Sequence, residues 1–578
     1  MSNAIFNVIS PTPLPTTNPI LPQRTGDFSS IVEALDYAAQ GETGLSFYGS
    51  TGQLLQTLRY RDLRSDALNI SGKLKALGLG IGDTVAIVGE TSPEFLRLFY
   101  GCQYAGMLPC PMPYSIFLGG RRAFAVRIAS LVSASAATVL CIPDSLATLA
   151  EFWRDRGIKV ITFTELNSLP KRDHCAPLDS TALAYIQFSS GSTADPKGIV
   201  ISQRAVCENV SGILVNCIGI RPNDRAFSWL PFYHDMGLVG FSIAPLFAQT
   251  SVDYISPTTF ARRPLLWPEL ISQNRSTITF APVFGYRLAA MRKKDNSHNA
   301  MDLSSLRIAG IGGDTVRADQ LELFAEAMRD AKFDPEAFTP SYGMAESTLL
   351  ITFKRGVRTV KLDRTVLEKS GRVEAPSSGP TSSFTICGKP LPHHELIITD
   401  PNGKILSDGH LGHIHIRGPS MFTNYRNSLE AHPNSPTEFF DTGDMGFSQD
   451  GELIITGRSK EMIIVNGRNI WPQDIEQLVT SIPACASSAV AAFSIKESDD
   501  DETVVVLIER SKKNKGDTSL ISQVISEVSS AMGIAVTIRF VEPKTLPFTS
   551  SGKLARSKAR ELYAQLRDGQ TPHCPATP

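Results

Sequence analysis

A run of small and hydroxylated residues followed by a lysine is the part of this sequence most typical of phosphate binding. The stretch FSSGSTADPKG, residues 188–198, follows the apolar run LAYIQF at 183–188, which predicts a short buried strand. Hydroxyls and approachable backbone N–H groups suit polyphosphate oxygens, and a lysine adds compensating charge. The residues concerned are Ser189, Ser190, Gly191, Ser192, Thr193 and Lys197. The competing interpretation is a flexible surface turn, since Gly, Ser and Thr clusters are usually turns. The stretch is not a Walker loop, because G-x-x-x-x-G-K-[ST] is absent.

Six further segments follow in order along the chain. They read PFYHDMGL (231–238), GIGGDTV (310–316), TPSYGMAEST (339–348), FFDTGDMG (439–446), GRSKEMIIVNGRNIWPQDIE (457–476) and LPFTSSGKLAR (546–556). Taken singly, each is compatible with an ordinary turn or loop. Together with the opening stretch they resemble the acyl-adenylate-forming superfamily of acyl-CoA synthetases, nonribosomal-peptide adenylation domains and luciferases. The chain departs from the family pattern at Ala194, where a second glycine is usual, and alanine avoids positive φ.

The resemblance implies a nucleotide site. Lys197 and the hydroxylated loop would hold phosphates, His234 would lie beside the acyl and phosphate sites, and Glu346 would bind Mg²⁺, for which a carboxylate is a suitable hard ligand. Tyr342 would stack on adenine, and Asp444 would accept hydrogen bonds from the ribose hydroxyls. The remaining nucleotide-binding residues implied by the match are Gly312, Gly313, Asp314, Ser341, Gly343, Met344, Ala345 and Arg458.

The resemblance also implies a reaction with ATP. A carboxylate attacks the α-phosphorus, pyrophosphate leaves, and an acyl-adenylate remains, so two anions must be held in line and their charge neutralised. Lys460 would be the pivot of an interdomain hinge, and Lys553 would arrive from the small domain to bridge the carboxylate and the α-phosphate. Glu346, Lys553 and His234 are therefore the predicted catalytic residues.

A segment of nearly forty residues between the Glu346 motif and ICGKPLP (386–392) indicates the branch of the superfamily. Its layout is similar to that of the fatty acyl-AMP ligases. This resemblance implies a medium-to-long-chain fatty acid as substrate and an acyl carrier protein of a polyketide or nonribosomal peptide system as acceptor through its phosphopantetheine arm. An apolar hairpin such as TLLITF would limit domain rotation or alter access for coenzyme A. A surface loop without function is the alternative for the insertion.

The acyl pocket can be predicted only coarsely. Phe232, Met236 and Phe284 are candidate walls because they are apolar and close to the motifs.

Three other functions remain open. An acyl-CoA synthetase shares the first half-reaction, a luciferase-like oxygenase shares the adenylation step, and a catalytically silent adenylate-binding protein is expected to lack Glu346 or Lys553, both of which are present.

Composition excludes several classes. The 578 residues carry 56 Lys and Arg against 57 Asp and Glu, so no general charge favours nucleic acid or an anionic membrane. The nine cysteines form no Cys-x-x-Cys pair, which argues against zinc and a disulfide scaffold. The N-terminal stretch does not resemble a secretory signal, and no apolar run approaches the roughly 20 residues of a membrane span. We expect a cytoplasmic protein without an integral membrane segment.

The elements that position these motifs alternate between short β-branched runs and helical patterns, which predicts an α/β fold with parallel sheets. We expect a large N-terminal domain over 1–457, with a leader at 1–25, an insertion at about 349–385 and a β-rich subdomain at about 386–457. A small mobile α+β domain is expected over 458–578, with its hinge near 458–460. In its predicted helix, one apolar face comprises Leu520, Ile521, Val524, Ile525, Val528 and Met532.

Overall fold

The computed structural model of the protein describes most of the chain. The described residues are 12–114, 120–171, 181–188, 197–293, 301–377, 379–426, 438–465, 467–496, 502–511, 514, 518–549 and 553–567. In none of them does a helix combine the length and apolar character needed to cross a membrane.

The strands of these residues fall into five sheets. They are β1 (Gly44–Tyr48), β2 (Leu54–Arg59), β3 (Thr84–Val88), β4 (Leu108–Met112), β5 (Val139–Ile142), β6 (Val160–Thr162), β7 (Leu183–Phe188), β8 (Gly198–Ser202), β9 (Arg225–Ser228), β10 (Ser251–Tyr254), β11 (Ile278–Ala281), β12 (Ile308–Ile311), β13 (Phe338–Gly343), β14 (Leu350–Phe353), β15 (Thr359–Asp363), β16 (Thr381–Pro390), β17 (Glu395–Thr399), β18 (Gly412–Arg417), β19 (Asn424–Tyr425), β20 (Phe440–Gln449), β21 (Glu452–Arg458), β22 (Ile463–Val465), β23 (Arg468–Ile470), β24 (Val490–Lys496), β25 (Glu502–Glu509) and β26 (Val536–Val541).

The helices cover the sheets and connect their strands. They are α1 (Ile31–Ala38), α2 (Tyr60–Ala76), α3 (Pro93–Ala105), α4 (Gly120–Ala134), α5 (Ala150–Arg154), α6 (Phe163–Ser168), α7 (Gln203–Ser211), α8 (Asp235–Leu238), α9 (Ala244–Phe247), α10 (Pro257–Arg262), α11 (Leu266–Asn274), α12 (Val283–Lys293), α13 (Ala318–Ala327), α14 (Arg364–Ser370), α15 (Pro472–Ser481), α16 (Thr518–Met532) and α17 (Arg556–Arg567). Two π-helical segments, Gly212–Ile218 and Val239–Ile243, continue α7 and α8.

Parallel strands dominate the first half of the chain. The order β4-β3-β5-β6 forms one parallel sheet, and β13-β12-β11-β9-β10-β1 forms the parallel part of a larger one. Every residue of β3 is buried, as expected for a strand covered by helices on both faces. The predicted fold class is confirmed.

Local sequence signals set the ends of the elements. The Ser92 side chain accepts a hydrogen bond from the Phe95 N–H, Pro93 occupies the first turn of α3, and Gly106 at φ +67° ends the helix. These are the preferred residues at each position, because an oxygen caps the first N–H groups and glycine adopts the left-handed conformation without steric cost.

The predicted β-rich region does not form a separate sheet. Its strands β16, β21, β20, β18 and β17 continue the large sheet antiparallel to one another and join it through β14. The insertion is part of the same architecture, because β14 pairs with both β13 and β16. Part of the expected insertion is therefore structural framework and not a surface loop.

The C-terminal part has a sheet and a core of its own. In β25, Val504, Val506 and Ile508 pack toward α15 and α16, whereas Val505 and Leu507 pack toward α17. This is the period-two alternation of a strand covered on both faces. The predicted apolar face of α16 is only partly buried, since Leu520, Val524, Val528 and Met532 are buried but Ile525 is 37% exposed. The domain boundary at 457/458 stays a prediction.

Candidate functional site

One cavity of about 290 Å³ brings together most of the segments singled out in the sequence. One side is lined by the turn after β12 and by the end of β13, and another by the start of α8 and the two π-helical segments. Lys553 from the C-terminal part completes the lining. The predicted residues along this cavity are His234, Met236, Phe284, Gly312, Gly313, Asp314, Ser341, Tyr342, Gly343 and Lys553.

The glycine turn after β12 is shaped by close packing. Gly313 adopts φ +82°, which favours glycine, and a Cβ on Gly312 would lie 2.9 Å from the Ser341 hydroxyl oxygen. The Ser341 hydroxyl donates to the Ile311 carbonyl at 2.7 Å, which ties β13 to β12 below the turn. Gly343 is equally constrained, since a Cβ there would lie 1.8 Å from the Leu349 carbonyl oxygen. Backbone is therefore exposed at the cavity, where a flat ligand group can approach closely.

Tyr342, Asp444 and Arg458 form a connected polar chain. The Tyr342 hydroxyl donates to Asp444 Oδ2 at 2.7 Å, and Arg458 Nε lies 3.3 Å from Asp444 Oδ1. Burial raises the pKa of Asp444, and the guanidinium of Arg458, the Tyr342 hydroxyl and the Lys553 ammonium oppose that rise. Strands β20 and β21 fix the pair, because Asp444 and Arg458 are register partners.

Glu346 is a buried carboxyl held by a tyrosine that the sequence reasoning missed. The Tyr425 hydroxyl donates to Glu346 Oε1 at 3.1 Å, and the Lys197 ammonium lies 4.8 Å from the centroid of the Tyr425 ring. Burial raises the pKa of Glu346, the Tyr425 hydrogen bond lowers it, and the nearby Asp235 carboxylate raises it further. Met344 and Ala345 lead into this position, with Ala345–Ser347 forming a single 3₁₀ turn. Lys197 and Glu346 thus both contact the side chain of Tyr425.

Asp235 is a second residue that the sequence reasoning passed over. It begins α8 directly after His234, its Oδ1 accepts from the Met236 N–H at 2.7 Å, and it lines the cavity. Burial raises the pKa of Asp235, and the Lys553 ammonium opposes the rise. The signal was present in PFYHDMGL, but an aspartate at a helix start is normally read as a capping residue.

Lys553 belongs to the C-terminal part and precedes α17. Its N–H donates to the Thr549 hydroxyl at 3.1 Å, its carbonyl accepts from the Thr549 N–H at 2.7 Å, and Phe548 and Leu554 form an isolated bridge. The lysine side chain reaches the cavity that the N-terminal strands line. Lys460 is exposed in the 3₁₀ turn Ser459–Glu461, directly after β21, which is consistent in position with a pivot.

Apolar and aromatic side chains form the deeper wall of the cavity. Met236 and Phe284 belong to it as predicted, whereas Phe232 does not line the cavity. Phe232 is fully buried, stacks on Phe95 at a ring-centroid distance of 5.3 Å and meets Tyr254 edge to face at 5.2 Å. Its neighbours Pro231 and Tyr233 line the cavity instead, because the Phe232 ring packs against Phe95 and Tyr254. The prediction for Phe232 is therefore not supported.

The hydroxylated loop itself, Ser189, Ser190, Gly191, Ser192 and Thr193, lies outside the described residues, as does Ala194. Its two flanks are described. Strands β7 and β8 form an antiparallel pair with Phe188 opposite Gly198, and β19 extends the sheet with Tyr425 opposite Ile199. This register places the end of the loop, at Lys197, beside the Tyr425 ring and hence near Glu346.

The carboxyls present are compatible with a magnesium ion that is shared with a ligand. Within the described ranges, no group of three or more His, Cys, Asp or Glu side chains could hold a metal. Magnesium commonly takes one or two carboxylates and fills its other positions with phosphates and water. Glu346 and Asp235 fit this pattern, because burial and mutual repulsion raise the pKa of Glu346 and a cation would offset both effects.

Comparison with protein families agrees with this architecture. Residues 43–426 match the AMP-binding enzyme family, and residues 467–558 match the AMP-binding enzyme C-terminal domain. The fold and the cavity are therefore those of an adenylating enzyme. The chain belongs to the AMP-binding enzyme family.

Similar proteins within this family are named as ligases of fatty acids or as acyl-CoA synthetases. The chain is 39% identical over 564 residues to a provisionally named acyl-CoA synthetase of Caulobacter vibrioides, covering 93% of this chain and 96% of the relative. It is 30% identical over 568 residues to the medium-chain-fatty-acid–[acyl-carrier-protein] ligase JamA of Moorena producens, covering 93% and 96%. A solved structure from a study of fatty acyl-adenylate ligases from E. coli and L. pneumophila superposes with a TM-score of 0.90 at 37% identity, covering 95% of this chain and all of that one. The prediction of an adenylating ligase resembling the fatty acyl-AMP ligases is confirmed.

Proposed function

We propose that the protein joins a medium-to-long-chain fatty acid to AMP, using ATP and releasing pyrophosphate, and then transfers the acyl group to the phosphopantetheine thiol of an acyl carrier protein. The observation that carries the proposal is the continuous cavity. Its apolar end, with Trp229, Phe260 and Phe284, suits an alkyl chain, and its polar end, with Tyr342 and the glycine turn, suits a nucleotide. The reacting groups would meet between the two ends.

In the first step, a carboxylate oxygen of the fatty acid forms a bond to the α-phosphorus while the bond to the pyrophosphate oxygen breaks. Lys553 lines the cavity and offers an ammonium to the oxygens that carry charge in the transition state. Asp235 and Asp444 lower the net positive charge around that ammonium when no ligand is present, and both feel its field. The Lys553 ammonium therefore lies within electrostatic range of both carboxylates before substrate enters.

The nucleotide would be oriented by groups of both parts of the chain. Tyr342 lines the cavity, Asp444 would accept hydrogen bonds from ribose hydroxyls, and Arg458 adds charge beside Asp444. Glu346 and Asp235 would hold a magnesium ion, which would supply charge neutralisation on the phosphates. Lys197 reaches the same region from the loop that follows β7.

In the second step, the thiol of the acceptor attacks the acyl carbonyl, AMP leaves with the mixed-anhydride oxygen, and the thiol proton passes to solvent or AMP. The preference for a carrier protein is supported by a contact between the insertion and the C-terminal part. Arg468 Nε donates to Glu368 Oε2 at 3.0 Å, and Glu368 lies on α14 of the insertion. A tie of this kind would restrict the rotation that coenzyme A needs for access.

The alternative is a fatty acyl-CoA synthetase that forms the same adenylate. The Caulobacter relative carries that provisional name, and JamA is named for an acyl-carrier-protein acceptor. The acceptor therefore distinguishes the two candidates, whereas adenylation does not.

The test is incubation of the protein with ATP, Mg²⁺ and labelled fatty acids of graded length, with coenzyme A or a holo acyl carrier protein as acceptor. We expect acyl-adenylate to accumulate without acceptor and transfer to occur only to the carrier protein. Lys553→Ala should slow pyrophosphate release about 10²–10³-fold, the cost of removing one preorganised charge donor. Efficient acyl-CoA formation by the wild type would favour the alternative, and unchanged pyrophosphate release by Lys553→Ala would overturn the role of Lys553.

A further inference from the structure

Arg556 is held by two glutamates that come from different elements. Its Nε and Nη2 donate to Glu476 Oε1 and Oε2 at 2.8 and 2.7 Å, and its Nη1 donates to Glu461 Oε2. The Arg556 side chain is only 13% exposed. A bidentate guanidinium–carboxylate pair fixes orientation as well as distance. The Arg556 side chain is therefore held in a fixed orientation between two carboxylates and is not a solvated surface charge.

One of the two glutamates lies near the predicted hinge, and the other lies in the C-terminal part. Glu461 ends the 3₁₀ turn that follows Arg458, the last residue of β21, where the N-terminal part passes into the C-terminal part. Glu476 lies on α15, and its Oε1 also accepts from the Ala492 N–H of β24 at 3.0 Å. Arg556 thus joins the predicted hinge turn to the core of the C-terminal part.

Arg556 is also three residues after Lys553. The hydrogen bonds at Lys553 include two with Thr549, and the Ala555 N–H donates to the Pro547 carbonyl at 2.9 Å. Arg556 begins α17. It is the first charged residue after Lys553, and its side chain is held by ion pairs. Only Leu554 and Ala555 separate Lys553 from this fixed arginine.

We infer that Arg556 is a positioning residue that fixes the backbone at Lys553 relative to the predicted hinge, so that the Lys553 ammonium meets the reacting oxygens. The inference rests on the proposed role of Lys553 in adenylation. A small displacement of a charge donor costs much of its effect, because the interaction in the transition state depends on both distance and direction. Arg556 is not among the residues that line the cavity and acts only through Lys553.

The test compares Arg556→Met and Arg556→Lys with Arg560→Met, a control on the exposed face of the same helix. Two rates are measured on the full chain: pyrophosphate release, and acyl transfer from chemically prepared acyl-adenylate to a thiol acceptor. We expect Arg556→Met to slow pyrophosphate release about 10- to 100-fold with KM values within twofold, to leave transfer unchanged, and Arg556→Lys to recover part of the loss. Equal losses in both rates, or no loss in either, would overturn the inference.

The decisive measurement is the double variant Lys553→Ala/Arg556→Met. If Arg556 acts through Lys553, the double variant is no slower in pyrophosphate release than Lys553→Ala alone, whereas independent effects would multiply. If Arg556→Met does not fold, Glu461→Gln takes its place. This substitution removes the charge of one of the two carboxylates that bind Arg556, and it is combined with Lys553→Ala in the same way. If Lys553→Ala adenylates at the wild-type rate, the proposed role of Lys553 is wrong. If Arg556→Met releases pyrophosphate at the wild-type rate while Lys553→Ala is inactive, this inference is wrong and the proposed role of Lys553 stands.

Discussion

The Tyr342 hydroxyl donates a 2.7 Å hydrogen bond to Asp444, so the residue predicted to stack on adenine also orients the residue predicted to receive the ribose. The two are 102 positions apart in sequence and belong to β13 and β20 of the same sheet. A single bond therefore links two groups that the nucleotide would contact separately. Asp444 keeps Oδ2 engaged by Tyr342 and faces Arg458 with Oδ1.

Tyr342→Phe separates the two roles of this tyrosine. The ring is kept and the hydrogen bond to Asp444 is lost, which leaves a buried carboxylate with one partner fewer and costs about 1 kcal/mol. We expect the KM for ATP to rise about fivefold while kcat changes little. Steady-state pyrophosphate release measures both. Tyr37→Phe, which removes an exposed hydroxyl bonded to the Pro22 carbonyl, should leave both constants unchanged. A fall in kcat without a change in KM would contradict the orienting role.

Glu346→Gln should abolish adenylation and stabilise the ligand-free protein near neutral pH. Burial raises the pKa of Glu346 in the folded chain, so the folded state binds this proton more tightly than the unfolded state. Stability from this group is therefore fully present at acid pH and is lost as the pH rises through the unfolded and then the folded pKa. Glutamine mimics the neutral form at every pH.

The measurement is the Tm of both proteins from pH 4 to pH 8 without nucleotide. We expect the Tm of Glu346→Gln to exceed that of the wild type at neutral pH, with the difference shrinking as the pH falls. Glu336→Gln, at an exposed glutamate paired with Arg358, serves as the control. A difference that stays constant with pH would show that ionisation of Glu346 is not its cause.

The sequence was sufficient for the parallel strands and for part of the cavity lining. LAYIQF predicts β7 to the residue, and the Ser92 and Gly106 signals delimit α3, because these elements depend on local patterning and caps. The glycine turn and Tyr342 were also recognisable, because their segments resemble motifs of the acyl-adenylate-forming superfamily.

Long-range pairing was not accessible to the same reasoning. Nothing local in FTNYRN indicates that Tyr425 bonds to Glu346, because strand β19 has only two residues and gains its position by pairing with β8. Phe232 was misplaced for a related reason, since hydrophobicity does not reveal that its ring packs against Phe95 and Tyr254, which are distant in sequence. The integration of β14 between β13 and β16 likewise depends on partners far along the chain.

Gly240 should control the length of alkyl chain that the cavity accepts. It lies in the π-helical segment Val239–Ile243 and lines the cavity, and a Cβ built there would meet only Leu349 Cδ2, at 3.6 Å. A leucine at this position would therefore extend into the cavity without displacing backbone. We expect Gly240→Leu to lower kcat/KM for the longest accepted fatty acids at least tenfold and to spare short ones.

A series of saturated fatty acids assayed by pyrophosphate release checks this expectation. Gly240→Ala should give an intermediate shift, and Gly80→Ala, on an exposed turn where a Cβ approaches only Asp83 at 3.9 Å, should give none. A uniform loss across all chain lengths would mean that the substitution disturbs the π-helical segment and not the alkyl site.

The Glu368–Arg468 contact provides a test of how the insertion affects the choice of acceptor. The Glu368 side chain is 4% exposed and Arg468 21% exposed, and Arg468 Nη1 also donates to the Met532 carbonyl at 2.7 Å. Deleting the insertion would remove β14 from the large sheet, so a point substitution is the cleaner probe. Glu368→Gln/Arg468→Gln removes both charges together, which avoids leaving one of them buried without its partner.

We expect this double variant to keep its rate of pyrophosphate release and to form acyl-CoA at least tenfold faster than the wild type, because rotation of the C-terminal part is no longer opposed by the buried pair. Acyl-CoA and acyl-carrier products are separated and counted from one labelled fatty acid. Glu395→Gln/Arg417→Gln, which removes an exposed pair between β17 and β18, is the matched control and should change neither product. If the variant folds and adenylates normally yet forms no more acyl-CoA than this control, the barrier to coenzyme A lies in access for the thiol and not in the tie between α14 and β23.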